Sequence, residues 1–317
     1  MVSPLAFAAR HGRWSLVAGL AAGLALPGVA QTMRPWLPEL VSGLLFVAAL
    51  RIGPRATLGS FKAVGHTLRT VIGYQLFAPL LALGVLTAMG MASTPWGMAL
   101  VLVLAAPSVT GSANFTILMG QDPSVAMRIM LVGTALFPLT ALAVLTLSPI
   151  VESPVQALLG TVRLIGVVFG AVGTAFALRW FLWRDMSETG RTALDGGSAI
   201  LLAVVVIGLM SAAGPALLSS PLHFASWLAF AFVINFGLQL LAHRFVPVED
   251  ETRDRTGTSI IAGNRNIALF LVALPPEVMD RVLLFIGCYQ FPMYLTPILL
   301  GKALRPRDPV GADNLKQ

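Results

Sequence analysis

Apolar segments of about twenty residues, long enough to cross the hydrocarbon core of a bilayer as α-helices, recur along the whole chain. Charged residues make up only 11% of the sequence, whereas a soluble domain carries about 25%. Backbone polar groups surrounded by lipid must be paired within the protein, and a helix pairs them within its own segment. The sequence therefore predicts an all-α, polytopic membrane protein.

The apolar pattern predicts ten transmembrane helices. The first predicted helix also fits a secretory signal peptide, because it follows Arg10 and Arg13 and ends in small residues before Gln31. We keep it as a helix because it then anchors the N-terminal basic residues on the same side as the other basic loops. The ten predicted helices cover 14–30, 36–50, 66–87, 95–119, 123–147, 154–183, 197–218, 222–242, 256–273 and 276–304.

Basic residues are distributed unequally between the two sides of this topology. Ten spans place both termini on one side, and that side holds sixteen lysines and arginines against only Arg34 and Arg281 on the other. The positive-inside rule then predicts an inner (plasma) membrane protein with both termini cytoplasmic. The net charge of +7 reflects loops that face anionic lipid, and we expect no nucleic-acid partner. The sixteen residues are Arg10, Arg13, Arg51, Arg55, Lys62, Arg69, Arg179, Arg184, Arg191, Arg244, Arg253, Arg255, Lys302, Arg305, Arg307 and Lys316.

Two polar segments interrupt apolar helices at corresponding places. Residues 106–118, APSVTGSANFTIL, lie in the fourth predicted helix, and residues 259–271, SIIAGNRNIALFL, lie in the ninth. They occupy corresponding places in two halves of five predicted helices each, 1–152 and 153–317. Because each half has an odd number of helices, the second half enters the membrane from the opposite side. Paired interruptions of this kind indicate a transporter binding site. The candidate substrate-binding residues are Thr110, Ser112, Asn114, Asn264, Arg265 and Asn266.

These polar residues also fit ordinary helix packing, in which serine and asparagine form hydrogen bonds between helices. Arg265 is harder to explain in this way, because no carboxylate is predicted within the membrane near it. It binds either carbonyl groups freed by the interruption, as a structural cation, or an anionic substrate. Arg128 offers the same choice, or it extends to the cytoplasmic surface. Arg163 has no assigned role.

The sequence contains no arrangement typical of an enzyme or a resident cofactor. Its four histidines fall near predicted helix ends and form no metal-ligand set, and Cys288 is the single cysteine. Intramembrane hydrolysis needs carboxylate pairs or serine and histidine sets within the membrane, and we find none in the predicted helices. We therefore expect no catalytic activity, metal or cofactor, with the role of sodium left open.

The sequences APSVTGSANF and SIIAGNRN, with GLALPG near the end of the first helix and QLFAPLLALG in the third, resemble the bile acid:sodium symporter superfamily. The resemblance implies a panel domain from helices 1, 2, 6 and 7. It also implies a core domain from helices 3 to 5 and 8 to 10, in which the interrupted helices 4 and 9 cross. Substrates of that family are mostly organic anions, which are taken up with sodium by alternating access.

The chain departs from this family at the implied sodium sites. The glutamate that follows Ser-Ile in the family's ninth helix is here Ile261, and the glutamine before the asparagine is Arg265. Asn114 is kept, and Gln75 lies near the family's ligand on the third helix, whereas Arg128 falls near a position where the family has a hydroxyl residue. Sodium prefers oxygen ligands, so loss of the carboxylate and gain of a guanidinium disfavour cation binding.

We therefore expect a secondary transporter of a small organic anion in which Arg265 replaces a bound sodium ion. Such a carrier would work as a facilitator, an exchanger or a proton-coupled transporter. Two alternatives stay open at this point. One is a sodium-dependent symporter of the bile-acid type, and the other is a non-transporting membrane sensor built on a transporter fold.

Overall fold

The computed structural model describes residues 4–54, 64–183, 186–248 and 251–304. Within these ranges the protein is helical, and the only extended pairing is an isolated antiparallel bridge between Ser108 and Arg265. The helices are α1 (Pro4–Arg10), α2 (Gly12–Ala25), α3 (Pro27–Met33), α4 (Leu37–Ile52), α5 (Val64–Ile72), α6 (Ala78–Ala88), α7 (Pro95–Ala105), α8 (Ser112–Leu118), α9 (Ser124–Leu147), α10 (Pro154–Phe181), α11 (Glu188–Leu209), α12 (Ala213–Ser219), α13 (Pro221–Phe245), α14 (Glu251–Gly263), α15 (Phe270–Ala273), α16 (Pro276–Asp280) and α17 (Leu283–Leu299).

Six helical stretches of the described residues are long and apolar enough to cross a membrane. Shorter apolar helices cover Trp14–Ala25, Pro95–Ala105 and Leu283–Leu299. The prediction of an all-α chain is confirmed for the described residues, and its six long apolar helices are those of a polytopic membrane protein. The six stretches are Pro27–Ile52, Gly65–Ala88, Ser124–Leu147, Pro154–Phe181, Glu188–Leu209 and Pro221–Phe245.

Hydroxyl side chains cap several of these helices at their N-termini. The Oγ1 atom of Thr94 accepts a hydrogen bond from the backbone N–H of Gly97 at 3.1 Å, and Ser153 does the same for Gln156 at 3.3 Å. Proline follows each of these caps, at a position where its missing N–H costs no helical hydrogen bond.

Most predicted boundaries agree with the observed ones to within a few residues, but the first and tenth predicted helices are each divided in two, and the seventh predicted helix begins at a different residue. It begins at Glu188 rather than at 197, because the Oγ atom of Ser187 accepts a hydrogen bond from the N–H of Gly190 at 3.1 Å. Glu188 in the first turn also complements the helix dipole. The predicted helix over 197–218 is in addition divided into α11 and α12.

A π-helical turn, Gly73–Phe77, lies between α5 and α6. Pro79 has no backbone N–H and cannot donate to the carbonyl of Gln75, four residues earlier. Instead, the N–H of Ala78 reaches the carbonyl of Gly73, five residues earlier. This turn sets the direction of Tyr74 and Gln75, which both point into the protein.

Six of the basic residues used for the topology prediction lie outside the described residues: Arg55, Lys62, Arg184, Arg305, Arg307 and Lys316. The predicted division of the chain at residue 152 falls between α9 and α10.

Helices α10 and α15 approach closely where Gly160 faces the backbone of Ala273. A methyl group at Gly160 would collide with the carbonyl oxygen of Ala273, whereas Gly173 on the same helix has open space around it. We expect Gly160→Ala to destabilise the protein by about 1–3 kcal/mol. We expect Gly173→Ala to be neutral or slightly stabilising. Thermal unfolding of the purified variants tests this difference, and equal melting temperatures would contradict the packing described here.

Candidate functional site

The first interruption separates α7 from α8. Helix α7 ends at Ala105 because Ala106 adopts an extended conformation, as residues before proline usually do, and Pro107 cannot continue the helix. Ser108 and Ser112 are buried, and their hydroxyl groups form a hydrogen bond of 2.7 Å across the interruption. The hydroxyl of Thr116 donates to the carbonyl of Ser112 at 2.9 Å, one turn into α8.

The second interruption follows α14, which ends at Gly263. The chain continues through Asn264, Arg265 and Asn266 into a 3₁₀ turn, Ile267–Leu269, and then into α15. An added side chain at Gly263 would collide with the backbone carbonyl of Asn235, so a glycine allows α13 and α14 to touch here.

The two interruptions lie against each other and exchange backbone hydrogen bonds. The N–H of Val109 donates to the carbonyl of Asn264 at 2.9 Å. The N–H of Asn266 donates to the carbonyl of Pro107 at 2.8 Å. Backbone groups that leave a helix inside a membrane need partners within the protein. Here each interrupted segment supplies partners for the other.

Arg265 lies at the centre of this contact and is only 3% exposed. Its Nε atom donates to the carbonyl of Ala262 at 2.8 Å, and its Nη1 atom donates to the carbonyl of Ala106 at 3.1 Å. The guanidinium carbon also lies 4.9 Å from the centre of the Tyr74 ring, within the range of a cation–π interaction. Of the two roles that the sequence left open, this geometry favours the structural cation.

The position of Arg265 also has an electrostatic reason. Ala262 is in the last turn of α14, and Ala106 directly follows the end of α7. The C-terminal end of a helix carries a partial negative charge, equivalent to about half an elementary charge. The guanidinium group therefore neutralises two helix ends that meet inside the protein, and a planar group with several donors suits two carbonyls better than an ammonium group does.

A buried polar network from α13, α14 and α17 surrounds the same point. The Nδ2 group of Asn235 donates to the carbonyl of Gly263 at 2.7 Å, and the hydroxyl of Tyr289 donates to that same carbonyl. The Nε2 group of Gln239 donates to the Oδ1 atom of Asn235 at 2.7 Å and to the hydroxyl of Thr296 at 2.9 Å. The carbonyls freed at Ala262, Gly263 and Asn264 thus all have partners.

Two cavities lie at opposite ends of α4. The Arg34 cavity, of about 1020 Å³, touches the first half of this helix, part of α10 and the segment that follows the second interruption. The Arg51 cavity, of about 350 Å³, is lined by Arg51 near the other end, by α1, α2 and α11, and by the segment that follows the first interruption. Helix α4 has sixteen residues and is about 24 Å long, so most of the hydrocarbon thickness separates the two cavities.

Ion pairs contribute to the lining of both cavities. Arg34 pairs with Asp280 in the larger cavity, and both side chains are nearly half exposed. In the smaller cavity the Nε atom of Arg51 lies 2.6 Å from the Oδ1 atom of Asp195. Exposed pairs of this kind add little stability, because solvent screens the attraction.

The predicted substrate residues are divided between cavity and core. Thr110 and Asn114 are partly exposed and line the Arg51 cavity. Ser112 and Asn264 are fully buried among protein partners within the interruptions. Asn266 is partly exposed, and it lines neither the Arg34 cavity nor the Arg51 cavity.

The residues that the sequence resemblance predicts as cation-site equivalents lie in different surroundings. Ile261 is 1% exposed and packs in an apolar cluster with Val71 and Ile129. Gln75 accepts a hydrogen bond of 3.4 Å from the hydroxyl of Thr140. Arg128 is partly buried, and its Nε atom finds no partner among the described residues. The part of the chain that the structure describes contains no group of three or more histidine, cysteine, aspartate or glutamate side chains able to hold a metal.

Sequence reasoning missed Thr296 and the role of Tyr74. Thr296 is an isolated hydroxyl in an apolar helix, but Pro297 follows it, and prolines in such helices often mark polar contacts. Tyr74 reaches Arg265 from the π-helical turn, which the apolar pattern of the sequence does not reveal.

Comparison with known proteins adds no assignment: no family model matches the chain, and no curated protein matches it.

Loss of the guanidinium group should loosen the contact between the interruptions. We expect Arg265→Met to lower the thermal stability clearly, because each carbonyl left buried and unpaired costs about 1–3 kcal/mol. The matched control is Arg191→Met, which removes an exposed arginine from the first turn of α11, and we expect a change within about 0.5 kcal/mol. Thermal unfolding in detergent compares the two. Equal stability of both variants would contradict a structural role for Arg265.

Proposed function

We propose that this protein is a secondary transporter that moves a small organic anion across the inner (plasma) membrane by alternating access. In this proposal the chain has ten spans arranged as two inverted halves, 1–152 and 153–317, with both termini cytoplasmic. Helices 1, 2, 6 and 7 of the predicted series form a panel, and the other six form a core. Membrane lipid surrounds both parts.

The observation that carries this proposal is the contact between the two interruptions. Interrupted helices leave backbone groups at membrane depth, and such groups are tolerated only where protein or a water-filled cavity surrounds them. In transporters with inverted repeats, interrupted helices of this kind form the substrate site near the middle of the bilayer. Here the segment after each interruption borders a different cavity, one at each end of α4.

A third cavity supports a path between the two ends. It has a volume of about 80 Å³, and Leu45, Ala48, Ala49 and Ile52 line it along the second half of α4. Thr110 lines both this cavity and the Arg51 cavity, so the two are neighbours.

Coupling to sodium is disfavoured by the charge at the contact. Arg265 supplies a fixed positive charge between two helix ends, where a bound cation would otherwise neutralise the freed carbonyls. Ile261 also replaces a carboxylate with an apolar side chain packed among apolar neighbours. We therefore propose a divergent member of the bile acid:sodium symporter superfamily, in keeping with the resemblance of its two interrupted segments, that works without a sodium gradient.

Uptake into proteoliposomes tests this function. We expect the purified protein to carry at least one member of a panel of radiolabelled organic anions, at a rate that a sodium gradient does not change. Absence of uptake of the whole panel would contradict transport of an organic anion. Strict dependence on sodium would contradict only the proposed role of Arg265 in place of the ion.

Filling the larger cavity tests whether it belongs to the path. Gly166 lines the Arg34 cavity with open space around its α-carbon, so a larger side chain fits there without disturbing the packing. We expect Gly166→Leu to reduce uptake at least ten-fold by obstructing the cavity. Gly170→Leu, one turn further along α10 at a position with equally open surroundings, should leave uptake unchanged. Equal rates for both variants would place the path elsewhere.

A further inference from the structure

Four charged side chains line the Arg34 cavity, and only two of them neutralise each other. Arg34 and Asp280 form an ion pair. Arg163 and Glu39 are both exposed, and neither forms an ion pair with any residue that the structure describes. The cavity therefore presents one unmatched cation and one unmatched anion.

Arg163 lies well inside the membrane-spanning part of α10. It is the tenth residue of a helix of 28, so it lies about 13 Å along an axis of about 42 Å. If the helix is centred on a hydrocarbon layer of about 30 Å, Arg163 lies about 7 Å below its edge. An ionised residue at this depth is expensive and usually belongs to a substrate or ion pathway. Unlike Arg265, it is not occupied by backbone carbonyls.

Glu39 faces the same cavity from a different helix. It lies in the first turn of α4, which packs against α10. Since the two residues form no ion pair with each other, both charges are available to a solute in the cavity of about 1020 Å³ that they line.

The walls beyond these charges are apolar. Leu271 and Val272 come from the segment after the second interruption, and Met279 and Leu283 come from the segment around α16 and α17. Binding sites for organic solutes combine such walls with a few placed polar groups. The cavity thus offers two opposite charges and an apolar surface.

We propose that the transported solute is an organic zwitterion with an apolar body, whose anionic group binds Arg163 and whose cationic group binds Glu39. This inference rests on the proposed transport function and adds a cationic group to the organic anion proposed there. A solute with only an anionic group would pair with Arg163 but leave the carboxylate of Glu39 unmatched beside it. A solute that carries both groups pairs with both residues. Proteins often discriminate between solutes in this way, because the wrong solute leaves a charge of the site unpaired.

Three probes with the same indole ring show which charges the cavity binds. Tryptophan is the zwitterion, indole-3-propionate the anion and tryptamine the cation. Binding of each to the full chain in lipid nanodiscs is measured by calorimetry, separately from uptake. We expect the wild-type protein to bind tryptophan about five-fold more tightly than either probe with a single charge, a preference typical of a partly solvated ion pair.

Variants of Glu39 and Arg163 show which of the two residues causes the preference for tryptophan. Glu39→Gln should bind tryptophan and indole-3-propionate about equally, whereas Arg163→Gln should bind both weakly and Arg163→Lys should restore part of the affinity. Glu277→Gln changes an exposed acid outside the cavity and should behave as wild type. Glu39 also stabilises the N-terminus of α4, so the readout is the ratio of two affinities on one variant, which a loss of stability does not change.

Equal affinity of the wild-type protein for tryptophan and indole-3-propionate would overturn the inference. A preference that survives in Glu39→Gln, or binding of none of the three probes, would overturn it as well. Preferential binding of tryptophan without uptake of it or of any organic anion would support the zwitterion site and refute transport. Uptake of organic anions without any preference for tryptophan would support transport and refute the zwitterion site.

Discussion

The hydrogen bonds from Arg265 to the carbonyls of Ala262 and Ala106 are the interaction on which the rest of this structure depends. Two helices end inside the protein at the same place, and each leaves carbonyl groups and a partial negative charge there. One guanidinium group satisfies both ends and is itself held by the ring of Tyr74. Without it, the backbone pairing of Val109 with Asn264 would have to tolerate two adjacent negative helix ends.

The contact between the two interruptions determines which neighbouring polar side chains remain available to bind a solute. Asn235, Tyr289 and Thr296 are engaged with the interruption and bind protein groups. The residues available to a solute are those at the cavities, such as Asn114 at one end of α4 and Arg163 at the other. A fixed structural cation at the centre, with the proposed solute-binding residues around it, differs from a site in which a mobile ion performs both roles.

Much of the fold could be predicted from the sequence, because apolar length and proline or glycine positions directly determine where membrane helices begin and end. The paired interruptions at Pro107 and Gly263 could be located for the same reason. The direction of Arg265 could not be predicted, because its partner Ala106 lies 159 residues earlier and their contact depends on how two interrupted segments meet. The π-helical turn at Tyr74 was missed because one extra residue in a turn scarcely changes the apolar pattern. The cavities could not be predicted either, because they depend on how distant helices pack against each other.

Hydrogen–deuterium exchange of the backbone N–H groups of Val109 and Asn266, in wild type and in Arg265→Met, tests most directly whether Arg265 holds the interruptions together. These two groups donate the hydrogen bonds that join the segments. The account predicts strong protection in the wild-type protein and exchange at least ten-fold faster in the variant, with the middle of α9 unchanged in both. Equal protection of Val109 and Asn266 in the two proteins would contradict it.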